Sequence, residues 1–143
     1  MNVAVADCVM SMAQKGYKSV CFISSVSGEF EHVNEIVDKL SQVVDTCVLE
    51  KSILSSAKSL QSVQMYDCAV IVEKLDQSYY EDIIRELEYC ERFNVPVLGS
   101  IILSWCLGMN KCISKFDGSW ITGITKSACK MHENFVIKML QLH

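Results

Sequence analysis

The chain lacks most of the features that would divide it, charge it or anchor it. It has one proline, Pro96, and no linker, low-complexity segment or internal repeat, so no domain boundary is drawn. None of the eight cysteines stand in a Cys-x-x-Cys spacing. That argues against a zinc site or a thioredoxin-like motif. Most of them lie within apolar runs and read as free thiols, used as small core residues in a reducing cytosol. There is no cluster of lysine and arginine, and the net charge is -4. The electrostatic footprint of a nucleic-acid or anionic-lipid binder is therefore missing. No basic region precedes the first apolar stretch, which Asp7 interrupts, so no signal peptide is read. The longest uncharged run, residues 93–110, holds Pro96, Gly99, Gly108, two serines and two asparagines. It reads as a buried strand and its sequel, with no membrane insertion expected.

What is present is a well-filled core in a chain of one-domain size: 143 residues, half of them hydrophobic. Residues 3–14 fit a short helix with Gly16 as its stop. Residues 19–24 read as a strand covered on both faces. Phe30, Val33, Ile36, Val37, Leu40 and Val44 recur at three- and four-residue spacing, which predicts an amphipathic helix over 29–44. A short strand is expected at 46–50, a weak serine-rich helix within 51–64, and a buried strand at 67–73. Residues 78–93 form the clearest helix, with Tyr80, Ile83, Ile84, Leu87 and Cys90 on one stripe and a charged, solvated outer face. Residues 95–103 read as a fourth strand, 120–124 as an edge strand after a turn at 117–118, and 127–140 as a closing helix. Strands alternating with helices predict a single three-layer α/β domain. Its sheet is mainly parallel, of four or five strands, with helices on both faces.

The most informative segment is Ser24-Ser25-Val26-Ser27-Gly28-Glu29-Phe30-Glu31-His32, which joins the first buried strand to the amphipathic helix. A working phosphate-binding loop in this frame ends in Gly-Lys-Ser/Thr. Its backbone N–H groups and lysine hold phosphates, and its hydroxyl holds Mg²⁺. Phe30, Glu31 and His32 stand in those three places. A carboxylate about 4 Å from a phosphate repels each unit charge by about 4 kcal/mol at an effective dielectric near 20. The helix dipole offsets only about 0.3–1 kcal/mol of that. Nucleotide binding is therefore expected to be blocked.

In this frame the chain resembles the cytoplasmic domain of bacterial tyrosine kinases of capsular and exopolysaccharide synthesis, a branch of the deviant P-loop ATPases. Ser24, Ser25, Gly28 and Glu29 match that family's loop. Phe30 replaces its second glycine, Glu31 its lysine and His32 its Mg²⁺-binding serine. Glu50 and Ser52 stand where the family's second strand ends in two aspartates. The strand, helix and strand over 67–103 resemble the family's last such unit. There is no counterpart of the Walker B strand, of the C-terminal tyrosine cluster, or of the N-terminal arginine motif. The resemblance covers about residues 1–103. It implies a P-loop-like fold and a cytoplasmic protein that docks on copies of itself or on a membrane polysaccharide co-polymerase.

Two functions remain open on these residues. One is a non-catalytic relative of those kinases, acting through protein contacts and needing no cofactor or metal. The other is an enzyme or small-ligand binder using the crevice at the carboxyl ends of the strands, with Ser24, Ser25, Glu29, Glu50 and Glu73 near that edge. A phosphoacceptor role is disfavoured, because the strand ends carry glutamates. The lone His32 reads as structural or solvated, and Cys21 and Cys68 as inert core. Trp105, Leu107, Met109, Phe116, Trp120, Met131 and Met139 give the C-terminal third apolar bulk that either completes the core or forms an interface.

Overall fold

The computed structural model describes residues 3–26, 31–74, 77–106, 109–116 and 119–122. Helix α1 (Val3–Lys15) turns Val5, Cys8 and Met12 inward at helical spacing. It stops at Gly16, whose φ of 72° is costly for any residue with a Cβ. The Tyr17 N–H then donates to the Met12 carbonyl at 2.9 Å and closes the last turn. Strand β1 (Ser19–Ile23) follows, then helix α2 (Glu31–Leu40) and strand β2 (Asp45–Val48). Helix α3 (Ala57–Val63) is started by Ser56, whose hydroxyl accepts the Ser59 N–H at 3.2 Å. Strand β3 (Cys68–Lys74) leads to helix α4 (Tyr80–Arg92). Asn94, with φ 55°, ends α4, and the Val95 N–H returns to the Cys90 carbonyl at 2.8 Å. Strands β4 (Val97–Cys106), β5 (Met109–Phe116) and β6 (Ser119–Thr122) complete the described chain.

The strands form one sheet in the order β2-β1-β3-β4-β5-β6. The first four run parallel, as the alternation of strands and helices requires. Layers lie on both sides of them. On one face Val5, Cys8 and Met12 of α1 and Val33, Ile36 and Leu40 of α2 pack on Val20, Phe22, Val70 and Val72. On the other, Val63 of α3 and Cys90 of α4 pack on Cys21, Ile23, Ala69 and Ile71. Odd and even positions of β1 and β3 thus serve opposite layers. A bulge at Leu98 shifts the β3–β4 register between Ala69 and Val70. It lets Val97 serve one layer and both Leu98 and Ile101 the other.

Two expectations are corrected. The sheet has six strands, not four or five, because β4 extends to Cys106 and returns antiparallel as β5. Ser104, Trp105 and Cys106 of β4 pair only with β5, beyond the reach of β3. The expected edge strand near 120–124 is present as β6, also antiparallel. Secondly, α2 ends at Leu40 rather than Val44: the Val43 and Val44 N–H groups both turn back to the Leu40 carbonyl at 2.9 Å. The expected turn at 117–118 and the helix at 127–140 lie outside the described residues. So do Leu107, Met131 and Met139 and the side chains of Trp105, Met109, Phe116 and Trp120.

Candidate functional site

Strands β1 and β3 are neighbours, but the chain leaves them in opposite directions, through α2 to β2 and through α4 to β4. Their carboxyl ends therefore form the switch point at which open α/β sheets bind ligands. Here the two ends are tied to each other. Glu73, near the end of β3, follows Ala69 and Ile71 on the α3–α4 face and is fully buried. The backbone N–H of Ser25 donates to its Oε1 at 3.0 Å. The Ser25 hydroxyl donates to its Oε2 at 2.6 Å, and the Ser78 hydroxyl reaches the same oxygen at 2.5 Å. Three donors converging on one buried carboxylate satisfy the ionised form.

The serines are fixed in turn. Ser78 accepts the Lys74 N–H at 3.0 Å and donates its own N–H to the Lys74 carbonyl at 2.8 Å, making a tight turn between β3 and α4. Ser24 is buried, and its hydroxyl accepts the Val26 N–H at 3.1 Å. The N–H groups of Ser25 and Val26, in the loop after β1, thus already have acceptors within the chain.

A second carboxyl lies behind the first. Glu86 projects from α4 between Ile83 and Cys90, on the buried side of the helix. It is 0% exposed, and neither of its oxygens has a hydrogen-bond partner among the described residues. Burial raises its pKa well above the ordinary glutamate range, and the adjacent Glu73 carboxylate raises it further. Glu86 is a residue that the sequence pattern did not single out. The signal was available in its spacing, three residues after Ile83 and four before Cys90.

The other expected site residues divide clearly. Ser24, Ser25 and Glu73 come together at the β1–β3 junction. Gly28, Glu29 and Phe30 lie outside the described residues, and Glu31 and His32 open α2. Glu50 is exposed beyond the end of edge strand β2, with β1 between it and β3. It does not join Glu73. Ser52 is buried, and its hydroxyl accepts the Leu54 N–H at 3.1 Å.

Among the described residues no three His, Cys, Asp or Glu side chains cluster to hold a metal ion. Cys8, Cys21, Cys68 and Cys90 are buried free thiols. Burial pushes Cys8 and Cys68 up to about 12 and Cys90 up to about 11. They therefore stay protonated and inert, as expected of core cysteines. No helix of the described residues is long and apolar enough to cross a membrane. No protein-family model matches the chain, and no curated protein matches it.

Proposed function

We propose that the chain is a non-catalytic binding module on the frame of a phosphate-binding α/β domain, related to the capsular and exopolysaccharide tyrosine kinases and acting through protein contacts. One observation carries the reading. The Glu73 carboxylate lies at the joined carboxyl ends of β1 and β3, and it takes the Ser25 N–H and hydroxyl for itself. The chain thus supplies its own anion. A phosphate entering there would meet a negative charge and find those donors taken. This adds to the sequence argument from Phe30, Glu31 and His32, and it is independent of it.

On this reading the partner is a second copy of the chain, a membrane polysaccharide co-polymerase, or both. The protein works in the cytoplasm, at the inner face of the membrane through that partner. Ligand binding or catalysis in the crevice has less support. Glu50 and Glu73, the carboxylates it would use, stand apart, and the Ser25 and Ser78 hydroxyls are already bonded to Glu73. Isothermal titration with ATP-Mg²⁺ tests the proposal. No heat of binding is expected up to millimolar nucleotide, and micromolar binding would refute it. Sedimentation at micromolar concentration tests self-association.

A further inference from the structure

Two glutamates buried side by side cannot both be ionised without a cation between them. Glu73 receives three donors, so the negative charge belongs there. Glu86 receives none among the described residues, and after burial itself the neighbouring Glu73 carboxylate acts on it most strongly. A proton on Glu86 resolves both facts. It turns an orphaned acceptor into a donor, and it gives Glu73 a fourth hydrogen bond.

We propose that Glu73 and Glu86 share one proton that fastens α4 to the loop after β1, and that this latch weakens as the pH rises. The chain of contacts runs from α4 through Glu86 to Glu73 and on to Ser25, so one proton couples a helix to the mouth of the crevice. The inference goes beyond the proposed function and stands whether or not a nucleotide ever binds there.

The surroundings favour the protonated state. The groups that act on Glu86 are Glu73 of β3 and, on its own helix, Asp82 and Cys90, and all of them oppose its ionisation. From β1 come the buried thiol of Cys21, deeper in the same layer, and the neutral Ser25 beyond the strand's end. Strand β4 places Ser100 opposite Ile71, on the same face. Helix α3 adds the apolar Leu60 and Val63 to that layer.

Because Glu86 releases its proton more readily in the unfolded chain, folding is favoured by acid over this interval. The latch contribution is complete below the ordinary glutamate value of 4.5 and declines as pH rises toward the folded value. Across that interval it should lower the folded-to-unfolded ratio about tenfold per pH unit.

The test is urea unfolding of the intact chain and of Glu86→Gln between pH 5 and pH 8. The amide can donate to Glu73 but cannot ionise. The wild-type midpoint should fall relative to Glu86→Gln as pH rises, with the variant the more stable at pH 8. Parallel midpoints across the range would overturn the proposal. If the variant does not fold, carboxyl ¹³C NMR of glutamate-labelled wild type decides. One glutamate should titrate well above all the others, and ordinary titration of every glutamate would overturn the latch. Millimolar Mg²⁺ or Mn²⁺ should leave the wild-type melting temperature at pH 8 unchanged. A rise absent from Glu86→Gln would mean that a cation, not a proton, lies between the carboxyls, and would also overturn it.

Discussion

An acid stands at each end of strand β3, Asp67 just before it and Glu73 near its close, and each binds the neighbouring end of β1. At the amino end Asp67 accepts the Lys18 N–H at 2.7 Å and the Ser19 N–H at 3.2 Å. The Ser19 hydroxyl returns the tie by accepting the Asp67 N–H at 2.9 Å. At the carboxyl end Glu73 accepts the Ser25 N–H and hydroxyl. The device is the same, but Asp67 is exposed and Glu73 is 0% exposed. In water the tie is an ordinary clasp, whose donors would otherwise bond to solvent. Out of water the same bonds become obligatory, and the second carboxyl, Glu86, must be neutralised. Burial is what makes the carboxyl end a site and the amino end only a join.

The largest expected break is at the buried end. Glu73→Ala leaves the Ser25 N–H, two hydroxyls and Glu86 without their acceptor. It should cost about 3 kcal/mol or more in urea unfolding, in the range for breaking a buried charged network. Ser78→Ala removes one donor to that carboxylate and should cost about 1.5–3 kcal/mol by the same measurement. Asp67→Ala should move the urea midpoint least of the three, because solvent replaces the lost acceptor. A midpoint shift for Asp67→Ala equal to that of Glu73→Ala would show that burial does not separate the two ends.

Acid and base should distinguish the ends with opposite signs. Hydrogen bonds from the Lys18 N–H first, and from Ser19, hold the Asp67 carboxyl below its ordinary value of 3.8. Its contribution is complete above that value and is lost as pH falls through the lowered one. Glu86 behaves conversely, contributing fully below 4.5 and losing its contribution as pH rises. Asp67→Asn should therefore flatten the acid limb of the stability curve between pH 4 and pH 2 and leave the alkaline side unchanged. A change confined to the alkaline side would contradict the assignment.

Much of this architecture could be read from residue patterns. The apolar runs of β1 and β3 and the spacing of Val33, Ile36 and Leu40 specify the parallel core because burial on two faces leaves a strong periodic trace. Ser24, Ser25 and Glu73 were each legible as residues at strand ends. Their mutual bonding was not, since Ser25 and Glu73 are 48 positions apart and pair only through the β1–β3 register. Glu86 was not singled out, because a buried carboxyl breaks the usual correlation between charge and exposure. Strand β5 escaped notice because Asn110, Lys111, Ser114 and Lys115 dilute its apolar alternation, and the fourth strand was expected to end at residue 103.

The most direct measurement is on the Ser25 amide itself, by NMR of the intact protein with and without ATP-Mg²⁺. If Glu73 holds the Ser25 N–H and excludes an incoming anion, that amide should exchange with solvent as slowly as those of β3, and its resonance should stay fixed at millimolar nucleotide. A fast-exchanging Ser25 amide that shifts and saturates with micromolar ATP-Mg²⁺ would contradict the account.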